Sequence, residues 1–202
     1  MASQQIARQV PVPVKLAPFG DPEKKGRKGR GRILHVVIET ARGGRNKMAY
    51  DEKLGVFRLK KVLPEGMSFP FDFGFVPSTQ GGDGDPIDAL VLMDEPTTTG
   101  CLVACRLIGV ILGEQGSKER RRRQRNDRLL AVAIPSHTHS DIEHIDDLNR
   151  NLLSEIEKFF INYHAEYGQD YQVLGCKGPR AAWKLVKGGV RTWKRESKQN
   201  GA

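Results

Sequence analysis

Cysteine is scarce in this chain of 202 residues, which carries only Cys101, Cys105 and Cys176. An odd number of cysteines without a secretory leader argues against a disulfide framework. Cys101 and Cys105 lie in an apolar run, which is typical of small core residues. No further Cys or His stands at the spacing that a metal site built on them would need, so a cysteine-based metal centre is also excluded.

Long apolar runs are lacking as well. No segment approaches the roughly 20 apolar residues of a membrane-spanning helix, and residues 1–15 have no apolar stretch of the kind found in signal peptides. We therefore expect a cytoplasmic protein that has no membrane partner.

Acidic residues are outnumbered, since 33 Lys and Arg face 24 Asp and Glu for a net charge of +9. Such a charge attracts nucleic acid and other polyanions non-specifically. Much of it lies in residues 24–32 and 118–128. The first run belongs to a proline-rich extension, residues 1–32, that lacks apolar periodicity and is expected to be flexible.

From residue 33 onwards the pattern predicts many short strands separated by Gly and Pro turns, which indicates a closed antiparallel barrel. An amphipathic helix follows at residues 146–167, with Asp146 or Asp147 as its cap and Gly168 at its end. A second helix is expected at residues 180–195, weakened by two central glycines. The strands are predicted at residues 33–39, 47–51, 56–61, 89–93, 101–112 and 129–134. Residues 33–196 are read as a single domain, with residues 197–202 as a tail.

The chemistry concentrates in residues 69–92, whose centre reads Asp83-Gly84-Asp85-Pro86-Ile87-Asp88. Three carboxylates on a turn shaped by Gly and Pro suit hard divalent cations, which prefer oxygen ligands. A calcium loop would need a Glu about six residues beyond its glycine, where this chain is apolar. A merely solvated turn would not require the aromatic residues that stand just upstream.

This hexapeptide resembles the signature Asp-x-Asp-Pro-hydrophobic-Asp of the family I soluble inorganic pyrophosphatases. The flanks are similar too, at Pro70, Phe73, Gly74 and Phe75 upstream and at Gly100, Cys105, Arg106, Gly109 and Val110 downstream. The resemblance covers roughly residues 33–168. It implies an α+β, mainly β fold: an OB-like, five-stranded closed barrel with flanking helices. It also implies hydrolysis of pyrophosphate with Mg²⁺, with Mn²⁺ or another divalent ion as an alternative, and a homo-oligomer that in bacteria is commonly a hexamer.

The resemblance also assigns roles to residues. It implies that Asp83 and Asp88 are metal ligands and that Asp85 is both the catalytic base and a further metal contact. Glu39 matches an acidic metal-site residue at the end of the first strand. Phosphate oxygens are expected to be bound by Lys47, Lys61, Arg128 and Tyr163.

Several positions depart from the family pattern. Two further metal-binding aspartates of the family fall near Gln115 and Asn126, and a shift by one residue offers Glu114 and Asp127 instead; we therefore carry Asn126 and Asp127 as candidate ligands. Asp51 is a distant substitute for a missing glutamate. Ala49 stands where the family has a Glu, and Phe69 and Phe73 stand where it has two Tyr. His164 replaces a Lys of the family, and Lys61 replaces an Arg.

The basic insertion at residues 117–128 has three interpretations: an exposed mobile loop, a polyanion-binding segment, or a cover over the active site, since candidate ligands lie at both of its ends. Two alternatives to the enzyme stay open. One is a catalytically weakened protein on this fold that binds phosphate-rich ligands. The other is a nucleic-acid-associated protein with basic arms, although no motif of stacking aromatic residues supports it.

Overall fold

The computed structural model describes residues 13–19, 32–117 and 123–199. The strands are β1 Leu34–Thr40, β2 Asn46–Asp51, β3 Val56–Val62, β4 Asp72–Val76, β5 Ile87–Leu92, β6 Leu102–Ser117, β7 Gln124–Arg125, β8 Arg128–Ala133 and β9 Gln169–Lys177. The helices are α1 Arg150–Ala165 and α2 Pro179–Gln199, and short 3-10 turns lie at Pro13–Lys15 and Ile145–Asp147.

Five strands form a closed ring in the order β1-β4-β5-β8-β6 and back to β1, so the predicted mainly β architecture is confirmed. Four of the pairings are antiparallel, but β5 and β8 run parallel, which corrects the expectation of a wholly antiparallel ring. β7 and β9 extend the sheet from β6, and β2 and β3 form a separate hairpin. Fully buried aliphatic side chains such as Ile38, Leu90 and Leu130 fill the core.

The sequence pattern did not predict three of the strands, β4, β7 and β9, because their composition or length is unusual for strands. β4 contains Gly74, whose hydrogen atom is required: a Cβ there would lie 2.0 Å from the carbonyl oxygen of Val37. β9 contains Gly175 at φ +122° beside a register shift. β7 has only two residues and exists because it pairs with Glu114 and Gln115.

The first helix begins later than predicted. Asn149 caps α1 by accepting the backbone N–H of Asn151 at 2.8 Å. Asp147 instead accepts the backbone N–H groups of Glu143 and His144 and closes the preceding 3-10 turn. Leu148 is extended, which separates this turn from α1, so Asp146 and Asp147 do not cap the helix.

The second helix runs without a break through Gly188 and Gly189, contrary to the expected weakness. Close packing explains the second glycine. A Cβ at Gly189 would lie 2.5 Å from Cδ1 of Ile87 and 2.9 Å from the carbonyl oxygen of Gln80, whereas nothing lies within 4 Å of a Cβ at Gly188. Gly189 therefore lets α2 approach the segment that precedes β5.

We expect Gly189→Ala to lower the free energy of unfolding by about 1–3 kcal/mol, because the added methyl group overpacks this contact. Gly188→Ala is the matched control and should raise it by up to about 1 kcal/mol through helix propensity. Urea denaturation of both variants measures the difference. Equal effects at the two positions would contradict the packing role of Gly189.

Part of the predicted N-terminal extension is docked on the domain. The backbone N–H of His35 donates to the carbonyl of Pro18 at 2.9 Å, and the ring of Phe19 lies 5.9 Å from that of Trp183. The rest of the extension, residues 1–12 and 20–31, lies outside the described residues, as do the centre of the basic insertion at residues 118–122 and residues 200–202. Helix α2 reaches Gln199, so it includes the beginning of the predicted tail.

None of the helices in the described part of the chain is both long enough and apolar enough to cross a membrane.

Candidate active site

A cleft of about 340 Å³ lies between the β2–β3 hairpin, the loop before β5, the end of β7 and α1. Arg128 lies beside this cleft through its contact with Asp88, and Asp127 lines a smaller adjoining pocket of about 90 Å³. The remaining predicted site residues all line the cleft itself: Glu39, Lys47, Lys61, Asp83, Asp85, Asp88, Asn126 and Tyr163.

The loop before β5 is held by local hydrogen bonds. The hydroxyl of Thr79 donates to the carbonyl of Val76 at 2.6 Å and accepts the backbone N–H of Ile87 at 3.0 Å. The backbone N–H of Asp85 donates to the Asp83 carboxylate at 3.3 Å. Gly84 has φ +91°, a conformation that is costly for other residues, so the turn that presents these two carboxylates requires glycine here.

The carboxylates repel one another. Burial raises the pKa of Asp83 to about 6, and the negative charges of Asp88 and Asp85 add to this effect, while the positive charge of Arg128 opposes it. A divalent cation would relieve the repulsion, and carboxylate oxygens are the donors that Mg²⁺ prefers. Within residues 13–19, 32–117 and 123–199, however, no three His, Cys, Asp or Glu side chains converge into a ready-made metal site. The oxygen donors of these residues fit a divalent cation by their chemistry.

Arg128 supplies a fixed positive charge next to these carboxylates. Its guanidinium lies 2.7 Å from the Asp88 carboxylate, and its side chain is only 5% exposed. It also donates to the side-chain oxygen of Asn126, whose amide in turn donates to Gln115 at 2.5 Å. The ring of Phe160 lies 5.2 Å from the guanidinium carbon, within the range of a cation–π contact. Asp88 is thus already neutralised by a protein cation.

Two lysines, Lys47 and Lys61, also line the cleft. Lys47 forms an ion pair with Glu39 at 3.0 Å and lies 4.0 Å above the centre of the Phe73 ring. Lys61 lies opposite Lys47 in the register of the β2–β3 hairpin, and its ammonium group lies 3.4 Å from the ring centre of Tyr167. Burial and the neighbouring charges of Lys60 and Lys47 lower the pKa of Lys61. The cleft is therefore lined by carboxylates and by cationic side chains.

Comparison with known proteins decides the family. The family profile described as inorganic pyrophosphatase matches residues 36–194. This chain belongs to the inorganic pyrophosphatase family. An inorganic pyrophosphatase from Synechocystis sp. is 33% identical over 162 residues, which cover 80% of this chain and 92% of that protein.

Solved structures agree with this assignment. The crystal structure of an inorganic pyrophosphatase from Thermus thermophilus has a TM-score of 0.78 and 32% identity, and it covers 91% of this chain and 99% of its own. The inorganic pyrophosphatase from Helicobacter pylori has a TM-score of 0.73 and 33% identity, with 80% of this chain and 94% of that chain covered. The resemblance inferred from the aspartate signature is confirmed.

The positions that depart from the pyrophosphatase pattern lie in the cleft. Phe69 and Phe73 are 1% and 3% exposed, so their rings serve as packing and as cation–π partners. Burial lowers the pKa of His164 to about 4, although a hydrogen bond with Gln169 opposes this. His164 is therefore neutral at pH 7 and does not replace the charge of a lysine. Ala49 also lines the cleft, without a carboxylate.

Two pairs of residues were candidates for the positions of the missing aspartates: Gln115 with Asn126, and Glu114 with Asp127. Gln115 and Asn126 line the cleft, whereas Glu114 pairs with Arg123 at 2.6 Å. Asp127 accepts the backbone N–H of Gly113 at 2.9 Å and pairs with Arg125, so its carboxylate supports the turn beside the smaller pocket.

The distant substitute Asp51 pairs with Arg58 at 2.8 Å and accepts two backbone N–H groups in the hairpin turn. Asp51 itself does not line the cleft, although its neighbours Tyr50 and Glu52 do. Asp51 therefore does not replace the carboxylate that is missing at Ala49.

Sequence reasoning missed several residues of the cleft wall. Gln124 and Gln169 belong to strands that the pattern did not reveal, and Phe160 was expected only as an apolar helix residue. The amide of Gln124 donates to the carbonyl of Gly82 at 3.1 Å. The C-terminal part of the basic insertion therefore contacts the loop that carries Asp83 and Asp85.

Proposed function

We propose that this chain hydrolyses inorganic pyrophosphate to two phosphates with the help of bound divalent cations, of which Mg²⁺ is the first choice. The observation that supports this best is the single cleft that Asp83, Asp85 and Asp88 line together with Lys47 and Lys61. Pyrophosphate is a compact polyanion, so an enzyme for it needs cations around the phosphates and a base next to the attacked phosphorus.

Asp83 and Asp88 would hold the cation, with Glu39 and the oxygen of Asn126 as further candidates. When bound, a divalent cation lowers the pKa of water and neutralises charge on the phosphoryl group. Asp85 is exposed in the same loop as Asp83 and accepts the proton of the attacking water.

Lys47, Lys61 and Arg128 bind phosphate oxygens and compensate the charge that develops on them. Burial raises the pKa of Tyr163 to about 12, so its hydroxyl stays protonated and able to donate to a phosphate oxygen. The phosphoanhydride bond breaks as the water oxygen bonds to phosphorus, and the second phosphate leaves.

A cytoplasmic location and a homo-oligomer, with a hexamer as the first choice, are part of this proposal. Their support is the resemblance to family members, one of which is named a soluble inorganic pyrophosphatase in Arabidopsis thaliana. Light scattering on purified protein measures the oligomer size, and a monomer at micromolar concentration would contradict it.

Release of phosphate from pyrophosphate by the purified protein, with and without Mg²⁺, is the direct test. Release that depends on Mg²⁺ and is lost in Asp85→Asn would support the proposal. No release at any tested concentration of Mg²⁺ or Mn²⁺ would contradict it.

The departures favour a second candidate, a protein that binds pyrophosphate or similar ligands with weak turnover. Ala49, Phe69, Phe73 and Gln115 bring neither charge nor a hydroxyl group to the cleft. Isothermal titration with pyrophosphate and the turnover assay separate the two candidates. Tight binding without turnover, together with a gain in turnover in Ala49→Glu/Phe73→Tyr, would indicate that this candidate is right.

Divalent cations should raise the melting temperature, because they relieve the repulsion between Asp83, Asp85 and Asp88. At a hundred times the dissociation constant, binding contributes about 2.7 kcal/mol, which corresponds to a rise of about 5–10 °C for a chain of this size. The rise should be smaller at pH 5 than at pH 7.5. Asp83, with its pKa of about 6, is mostly protonated at pH 5 and then binds metal poorly.

Differential scanning fluorimetry with Mg²⁺ or EDTA measures this effect. Asp83→Asn should lose most of the rise, and at pH 7.5 in EDTA it should melt above the unmodified protein because the repelled charge is gone. Asp141→Asn is the matched control, an exposed aspartate outside the cleft, and should keep the full rise. Equal rises in the two variants would contradict a metal site at Asp83.

A further inference from the structure

Helix α2 carries all of its positive charge on one side. At 3.6 residues per turn its seven basic residues fall within an arc of about 100°. Each of them is exposed, and the helix is continuous over this stretch. From first to last they span about 27 Å along the helix axis at 1.5 Å per residue. We call this the basic face of α2: Arg180, Lys184, Lys187, Arg191, Lys194, Arg195 and Lys198.

The opposite side of α2 is fixed to the domain. Ala182, Val186 and Gly189 are buried, and the carbonyl of Gly189 accepts the backbone N–H of Gln80 at 3.2 Å. The apolar side is therefore not available to enter a lipid bilayer, as a membrane-bound amphipathic helix would require. The basic face is held rigidly towards solvent.

The charge of the basic face is not compensated by neighbours. No ion pair involves any of its seven residues within the described part of the chain. The only acidic residue of the helix, Glu196, lies about 160° away from Arg180 around the axis. A solvated helix of ordinary composition would mix both signs to form pairs at spacings of three and four residues. Here a single sign is concentrated on one face.

We propose that the basic face of α2 binds the phosphate backbone of double-stranded nucleic acid without reading its sequence. A straight row of Lys and Arg side chains neutralises phosphates and releases counterions, which supplies most of the non-specific affinity for a duplex. The arc contains no aromatic residue, and proteins that hold single strands rely on aromatic side chains to stack the bases. The face also lacks the Asn and Gln side chains that, alongside Arg, read base edges. Duplex phosphates are therefore the ligand that matches this face.

Fluorescence anisotropy with a labelled DNA duplex tests the proposal on the full chain between about 50 and 200 mM salt. The variant Lys184→Gln/Lys187→Gln/Arg191→Gln removes the centre of the basic face. Its matched control, Lys53→Gln/Arg150→Gln/Lys158→Gln, removes three exposed charges from other elements and keeps the same net charge. The basic segments at residues 24–32 and 118–122 are identical in both, so they cannot account for a difference.

We expect the α2 variant to lose at least about tenfold in affinity at low salt. Its slope of log K against log salt should become less steep by about 2.7, since each lost phosphate contact contributes about 0.9. The control should stay within about twofold of the unmodified protein. Equal losses in the two variants would overturn the proposal, because binding would then follow net charge alone. A preference for single-stranded over duplex DNA, or for anionic vesicles over DNA, would also overturn it.

A second variant, Arg180→Gln/Lys194→Gln/Lys198→Gln, changes the two ends of the basic face, so the test does not depend on the folding of the first variant. Circular dichroism checks that each protein keeps its secondary structure. Pyrophosphate hydrolysis is measured in parallel. None of the substituted residues lines the cleft, so turnover should not change. If the α2 variants lose duplex binding but keep their turnover, this surface is separate from the proposed catalytic site. If the unmodified protein binds the duplex without any turnover, the inference on α2 stands while the enzyme proposal fails.

Discussion

Asp85→Asn is expected to lower the turnover of pyrophosphate by about 10²–10⁴-fold, which is the usual contribution of a positioned general base. An amide has the shape of the carboxylate but does not accept a proton from the attacking water. The side chain of Asp85 is exposed, and this residue is held by its backbone: its N–H donates to the Asp83 carboxylate and its carbonyl accepts the N–H of Gly81. The fold should therefore tolerate the substitution, and the melting temperature in EDTA should change little.

Asp141→Asn provides the control for this experiment, since it removes one exposed carboxylate far along the chain and leaves the cleft unchanged. Initial rates of phosphate release are compared at saturating Mg²⁺, so that a weaker affinity for the metal is not mistaken for a defect in proton transfer. If Asp85→Asn turns over at nearly the rate of the unmodified protein, another group takes the proton, and the role assigned to Asp85 is wrong.

The aspartate signature could be read from the sequence because its function depends on local geometry. Asp83 and Asp85 are placed by hydrogen bonds within the same loop, and Gly84 and Pro86 shape the turn. The assignment of these residues to one cleft with Lys47 and Lys61 needed only the family resemblance. The ring of strands was also predictable, because β-branched runs and turn residues alternate along most of the chain.

The rest of the site depends on contacts between distant segments. Arg128 is an ordinary basic residue in the sequence, and only the ring of strands brings it to Asp88 and under Phe160. The short strand that carries Gln124 exists only through its pairing with β6. The loss of charge at His164 likewise follows from burial of this α1 residue, whose ring stacks on that of Tyr171 in β9, and no local pattern reveals this contact.

Substitution of Arg128 by Met is expected to destabilise the metal-free protein strongly, because it leaves the Asp88 carboxylate without its cation. Removing one partner of a buried ion pair typically costs about 3–5 kcal/mol. Asp88 remains 22% exposed, so water compensates part of the loss, and we expect about 2–3 kcal/mol here. The hydrogen bond from Arg128 to Asn126 is lost as well. Urea denaturation in EDTA measures the change.

A double-mutant cycle distinguishes the lost ion pair from lost packing. Asp88→Asn in the Met variant removes the stranded charge, so the double variant should recover part of the stability, and the two substitutions should not be additive. Arg128→Lys keeps the charge but not the planar fork, and it should lie between the unmodified protein and Arg128→Met. Strict additivity would show that Arg128 acts through packing on Phe160 alone.

The same variant tests whether Arg128 occupies a position of positive charge that a divalent cation could also supply. In Arg128→Met the carboxylate of Asp88 is free to bind metal, so adding Mg²⁺ should restore more stability to this variant than to the unmodified protein. The two curves of unfolding free energy against Mg²⁺ concentration should therefore converge. Parallel curves would show that Asp88 takes no part in binding the cation, and the ligand set would then have to be sought at Asp83 and Glu39.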